Sequence, residues 1–228
     1  MLFLKQIDWL VVSTFFVALV ALFIGLAGDL IKSKFKKPKL LVSMQLEPPD
    51  CCKIPLSSAA DGKLICDCYY FRFKVTNYGN YQMEDVEAMI TELYKYNENS
   101  RKFEKVNSFL PQNLVWSNMQ QIPLQYRITM SKIQPKLFKH LDFGHIISTP
   151  QELRSRFNSK VIFIFDVMVQ PNNLSHIIVP GNYKIQILFA ANNMKVYKKL
   201  YLLEIKNNWA NTEEETFGKI VNIKEVTN

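Results

Sequence analysis

The sequence predicts a mainly β protein: a β-sandwich domain carried behind one N-terminal transmembrane helix. Three observations predict it. An uncharged stretch of twenty residues lies near the N-terminus. About eight short apolar or alternating runs follow at regular spacing, with turn residues between them. No alternation of strands with long helices exists to support a parallel α/β sheet. At 228 residues, with 48% hydrophobic and 13% aromatic side chains, the chain has room for one anchor and one domain with a real core.

Residues 1–8 are a short tail, and the stretch at 9–28 reads WLVVSTFFVALVALFIGLAG. As a helix rising about 1.5 Å per residue it covers roughly 30 Å, the thickness of a hydrocarbon core. Ser13 and Thr14 can bond back to the helix backbone, Trp9 stands where an interfacial aromatic belongs, and Phe15, Phe16 and Phe23 add apolar bulk. The competing reading is a cleaved signal peptide. It fits less well, because Asp8 offsets Lys5 before the stretch and five lysines follow it.

Those lysines, Lys32, Lys34, Lys36, Lys37 and Lys39, make residues 29–39 a basic juxtamembrane linker that suits anionic lipid headgroups. They also predict a signal-anchor orientation with the domain on the cytoplasmic side. The net charge is +8, but 22 basic and 18 acidic residues remain from position 40 onward, so the basicity does not point to nucleic acid.

The domain spans 40–206. Strands are expected at 40–46, ended by Pro48-Pro49, and at 69–76. In the latter Tyr69, Phe71, Phe73 and Val75 share one face and Arg72, Lys74 and Thr76 the other. Asn77-Tyr78-Gly79-Asn80 turns the chain into a strand at 86–96. Shorter strands follow at 103–106, 113–116 and 125–130, then one at 137–147 interrupted at Gly144. Residues 149–157 carry a helical turn, and 161–169 an apolar strand covered on both faces. A closing hairpin pairs 183–191 with 196–205 around Asn192-Asn193, and residues 207–228 form a peripheral segment.

Two stretches of this pattern resemble a known family. FRFKVTNYGNYQMEDVEAMITEL is similar to the two-strand signature of bacterial immunoglobulin-like, adhesion-type modules, and VPGNYKIQILFAANNMKVYKKLYLLEI to their closing hairpin. The chain as a whole resembles single-span prokaryotic membrane proteins. The resemblance implies an immunoglobulin-like β-sandwich and a binding role, and it brings no catalytic residues.

Several groups are candidates for chemistry. Cys51, Cys52, Cys66 and Cys68 flank one connecting loop. In period two, Cys66 and Cys68 share a face while Cys51 and Cys52 point opposite ways, so three thiols can converge. They are reduced thiols, disulfides or metal ligands, although the CxxC spacing of a zinc site is missing. His140 and Asp142 share a strand face, and a bulge at Gly144 can swing His145 toward them, giving a metal set or an acid–base pair. The alternative is that Asp142 caps a turn and the histidines bond backbone carbonyls.

Asp166 lies in the apolar run FIFDVMV and needs a Lys, Arg or backbone donor. LPQNLVW, with Leu110 and Trp116, is either a contact loop or a core-filling crossover. No nucleotide-binding, zinc-protease or nucleophile-elbow motif occurs, and no cofactor is expected.

The expectation is a non-catalytic binding or scaffolding protein, held on the bilayer and meeting a protein partner or a second copy of itself, with no nucleic acid. Two alternatives stand beside it. One is a metal-dependent enzyme on His140, Asp142 and His145, and the other an extracytoplasmic adhesion-type module of inverted topology.

Overall fold

A computed structural model of the protein describes residues 9–58, 62–117 and 128–226; of the helix side chains, those at 26 and 29–34 fall outside the description. The chain forms two compact units that part between Lys37 and Pro38.

The first unit is helix α1, Trp9–Phe35. Ser13 and Thr14 donate to the Leu10 carbonyl at 3.0 and 2.6 Å, as expected of hydroxyls inside an apolar helix. Among the described residues no helix is long and apolar enough to cross a membrane. The transmembrane helix expected at 9–28 is therefore not carried by the structure. The helix also continues past 28 to Phe35, so the first part of the expected linker at 29–39 is helical. The tail at 1–8 and the side chains of Lys32 and Lys34 lie outside the described residues. Lys36, Lys37 and Lys39 are exposed.

The second unit is mainly β, built of two antiparallel sheets packed together. Sheet I contains β1 (Leu40–Ser43), β2 (Cys51–Ser57), β3 (Leu64–Asn77), β7 (Val115–Trp116), β9 (Phe138–Ser148), β10 (Val161–Phe165) and β11 (Ile177–Ile178). Its order is β1-β3-β9-β10-β11, with β2 on the same edge of β3 as β1 and β7 on β9. Sheet II contains β4 (Met83–Asn97), β5 (Lys102–Lys105), β6 (Gln112–Asn113), β8 (Met130–Ile133), β12 (Gly181–Ala191), β13 (Met194–Ile205) and β14 (Val221–Glu225). Its order is β14-β13-β12-β4-β5, with β6 and β8 also on β4.

The alternation read from β3 holds residue by residue. Tyr69, Phe71, Phe73 and Val75 are fully buried, while Arg72, Lys74 and Thr76 stay partly exposed. Across the gap Phe73 meets Tyr201 at 4.8 Å and Phe189 at 6.5 Å between ring centroids. Each phenylalanine buried this way contributes about 1.5–3 kcal/mol. β10 is covered on both sides, as its continuous apolar run predicts, but it ends at Phe165 and not at the expected residue 169. Val161, Phe163 and Phe165 enter the main core, and Ile162 faces a smaller outer cluster with Cys68 and Ile147. Helix α2 (Gln151–Phe157) roofs that cluster with Leu153 and Phe157, one turn apart on one helix face.

Further expectations change in the domain, where the strand expected at 113–116 divides into β6 on sheet II and β7 on sheet I. Residues 51–68 are not one loop: β2 pairs along β3, Cys51 with Phe71 and Leu56 with Cys66. The strand expected at 125–130 falls partly outside the described residues, and the observed strand there is β8. Residues 207–226 are not peripheral. Short helix α3 (Glu213–Thr216) leads into β14, which completes sheet II, and Phe217, Ile220 and Val221 enter the core. The physical reason is aromatic packing, because Phe217 lies edge-on to Tyr69 and Phe71 at 5.7 and 5.5 Å.

Candidate functional site

The outer face of sheet I gathers the candidate polar residues, and a bulge in β9 is what places them. The β3–β9 register runs from Phe71–Gly144 directly to Arg72–Asp142, leaving Phe143 as an extra residue. Before the bulge His140 and Asp142 alternate outward between buried Leu141 and Phe143. After it the parity flips, Ile146 turns into the core, and His145 comes to lie opposite Tyr70 on the outer face. The histidine sequence reasoning placed with His140 and Asp142 is thus on their face.

Sharing a face does not join the three into one cluster. His140 Nε2 lies 2.9 Å from Asp50 Oδ1, and Asp50 is itself fixed by the Gln45 backbone N–H at 3.0 Å. Ser117 Oγ donates to Asp142 Oδ1 at 2.5 Å. His145 Nδ1 lies 2.9 Å from Asp166 Oδ1. The donor expected for Asp166 was a Lys, Arg or backbone group, and it is His145 instead. β10 ends at Phe165, opposite Gly144, and this pairing delivers Asp166 to the histidine.

Tyr70 stacks on His145 with centroids 4.9 Å apart and planes 20° from parallel. Tyr70, Asp142, His145, Asp166, Met168 and Gln170 line a cleft of about 200 Å³. A carboxylate on Nδ1 fixes an imidazole's tautomer and orientation, which is the geometry of a positioned acid–base group. The cleft is nonetheless smaller than the roughly 300–1,000 Å³ of ordinary ligand sites. Asp166 Oδ2 is buried without a protein partner, so the pair is not fully satisfied.

The cysteines divide by the same period-two rule. Cys51 points into the main core and is fully buried, so the set Cys51, Cys66 and Cys68 does not converge. On the outer face the thiols are Cys52, which accepts from Arg72 Nη2 at 3.3 Å, Cys66, and Cys68, which donates to the Ile54 carbonyl at 3.3 Å. All four are free. Burial pushes the Cys51 and Cys68 thiols up to about 12 and raises Cys66, which favours their protonated forms. Among the described residues no three His, Cys, Asp or Glu side chains gather as a metal set.

In the 110–116 loop Leu110 is exposed, whereas Trp116 is fully buried and its Nε1 donates to the Val86 and Ile128 carbonyls at 3.2 and 3.1 Å. Trp116 is a core residue and not a contact.

A larger concavity, about 760 Å³, opens on sheet II, where Glu92, Tyr94, Phe103, Lys184, Tyr197 and Lys198 line it. Glu92 accepts from Lys105 Nζ and Tyr94 OH, both at 2.9 Å, and these bonds hold its carboxyl below the usual range and push the tyrosine up. Lys184 lies 5.0 Å above the Phe103 ring. Among the described residues Lys184 and Lys198 form no close ion pair with a carboxylate, although Lys198 helps to hold the Glu92 carboxyl down, so the surface combines aromatic rings with lysines and the carboxylates Glu92 and Glu225. Sequence reasoning missed it because its residues come from β4, β5, β12 and β13. The alternation of those strands marks outward positions but does not say which strands adjoin.

Comparison with family models, curated proteins and solved structures finds no match to this chain.

Proposed function

We propose that this is a membrane-anchored, non-catalytic binding or scaffolding protein, in which α1 seats in a bilayer and the sandwich presents the concave face of sheet II to a protein partner. The observation that carries it is the exposure of α1: every described side chain from 9 to 25 is exposed, including Leu10, Phe15, Phe16, Leu22 and Phe23. A helix apolar on all sides needs an apolar environment, and the uncharged sequence through Gly28 followed by lysines is suited to lipid. The lysine flank favours the cytoplasmic side for the domain. The resemblance to immunoglobulin-like modules supports binding in preference to catalysis. On sheet II, aromatic side chains beside Lys184 and Lys198 suit a partner that brings carboxylates and apolar groups.

Alkaline carbonate extraction of cells expressing the full chain tests the anchor. The protein stays with the membrane pellet, and Leu19→Lys combined with Leu22→Lys releases it; extraction of the unaltered chain sinks the reading. Labelling Cys66 in intact cells tests orientation, because modification by an impermeant reagent reverses the assignment. For the partner face, Tyr94→Ala with Lys184→Glu abolishes partner capture from detergent-solubilised membranes, and capture unchanged by that pair moves the contact elsewhere.

A further inference from the structure

A second surface, at the end of the domain that begins with Lys39, combines exposed apolar side chains with lysines. Tyr78, Leu137 and Phe138 are 60%, 56% and 44% exposed, and together they make an exposed apolar patch. Asn77 holds them in one place. It is fully buried, with Oδ1 accepting from the Gly79 and Lys39 backbone N–H groups at 3.0 and 3.4 Å and Nδ2 donating to the Tyr81 and Ile133 carbonyls at 2.6 and 2.9 Å. Its backbone completes the tie: Asn77 N–H donates to the Leu137 carbonyl at 3.0 Å, and Lys136 N–H to the Asn77 carbonyl at 2.7 Å. The 77–81 turn and the 134–137 turn are therefore one rigid tip.

Lysines surround the exposed rings. Lys136 and Lys39 lie 5.1 and 5.7 Å from the Tyr78 centroid, and Lys74 lies 4.3 Å from that of Phe138. Lys136 Nζ also donates to the Tyr78 carbonyl at 2.9 Å. Among the described residues none of the three pairs with a carboxylate. The chain separates this surface from the last helical residue, Phe35, by Lys36, Lys37 and Pro38 alone.

We infer that this tip is a second lipid-contact surface, one that seats on a bilayer rich in anionic phospholipid. Tyr78, Leu137 and Phe138 enter the headgroup boundary and Lys39, Lys74 and Lys136 meet lipid phosphates and carboxylates. The charge is complementary to an anionic leaflet, and the ammonium groups stand beside exposed rings, so apolar and cationic groups share one surface, as in interfacial membrane-binding segments. The inference rests on the bilayer reading of α1, since a helix seated in lipid keeps a surface four residues further on at the same leaflet. It differs from the lysine run after α1 because it ties the folded domain, and not only the linker, to the membrane. Docked in this way, the sandwich has a fixed orientation and presents its partner face in one direction.

Vesicle flotation and amide hydrogen exchange of the full chain test it, on phosphatidylcholine vesicles and on vesicles with about 30% phosphatidylserine. The chain floats with both. Residues 76–80 and 134–140 exchange about tenfold more slowly on the anionic vesicles, and about 0.5 M salt removes the difference. Lys39→Gln/Lys74→Gln/Lys136→Gln removes it as well, while exchange in β12 and β13 stays unchanged and reports an intact fold. Equal exchange of the two segments on both vesicles, with flotation intact, overturns the tip. Flotation with anionic vesicles alone supports the tip and overturns the α1 anchor, and flotation with neither overturns both.

Discussion

Gly144 lies so close to Phe163 that a Cβ added to it would sit 2.5 Å from Cε1 of that ring, and also 2.4 Å from the backbone carbonyl oxygen of Ile164. The contact is a condition of the β9 bulge. Phe143 and Gly144 both fall on the core side where the ladder skips a residue, and only one of them has room for a side chain. Past the bulge the parity flips, and His145 reaches Asp166.

Gly144→Ala should therefore cost stability, about 1–3 kcal/mol from overpacking. Urea unfolding of the variant measures it as a lowered midpoint. Phe163→Leu in the same chain should recover little of the loss, because the Ile164 backbone carbonyl oxygen, 2.4 Å from the new methyl, stays in place. A midpoint within about 0.5 kcal/mol of the parent would mean that the bulge relaxes freely.

His145 and Asp166 should behave as one unit. Replacing either by Leu leaves a buried polar partner without its bond and costs about 1–3 kcal/mol. The double replacement should cost less than the two single losses together, since no orphan remains. Strict additivity in a double-mutant cycle would show that the 2.9 Å contact carries no coupling.

The four thiols should separate into two classes. Cys52 and Cys66 are partly exposed, whereas Cys51 and Cys68 are fully buried with thiols pushed up to about 12. Alkylation of the native protein near pH 8 followed by mass spectrometry should modify Cys52 and Cys66 only. Cys51 and Cys68 should react after unfolding. Modification of Cys51 in the native state would contradict the β2–β3 register.

Acid should weaken the fold through His176. This imidazole is 2% exposed with Nδ1 unpartnered, and burial lowers it from its ordinary 6.5. The unfolded chain takes up a proton as pH falls through 6.5 while the folded chain resists it. Stability from the neutral ring is thus fully present above 6.5 and lost as pH falls toward the folded-state value. Urea midpoints across about pH 7.5 to 5 should fall for the parent and fall less for His176→Leu. Parallel curves would remove His176 as the cause.

Much of the fold was legible because burial imposes a period. β3 shows the period of two from Tyr69 to Thr76, β10 an unbroken apolar run, and β12 with β13 a hairpin about Asn192-Asn193. β2 was not legible: CCKIPLS does not alternate, it contains Pro55, and it forms an edge strand by pairing with β3. β14 was hidden for a similar reason, since its membership of sheet II depends on Phe217 reaching Tyr69 and Phe71 across the core. In the candidate site the bulge was readable from Gly144, and so was the face shared by His140, Asp142 and His145. Their partners Asp50, Ser117 and Asp166 were not, because each depends on register between strands distant in sequence.

The centre of sheet II carries a kinetic consequence. β4 pairs with β12, Lys95 with Tyr183 and Glu87 with Ala190, so the sheet closes only when segments almost a hundred positions apart meet. Contacts of such long range place a chain among slow folders, on a scale of roughly milliseconds to seconds. Until β12 arrives, one edge of β4 offers unpaired amides and carbonyls to any other strand. Nascent chains are thus most vulnerable to misassociation in the interval between synthesis of β4 and synthesis of β12, and a chaperone that shields strand edges would act in that interval.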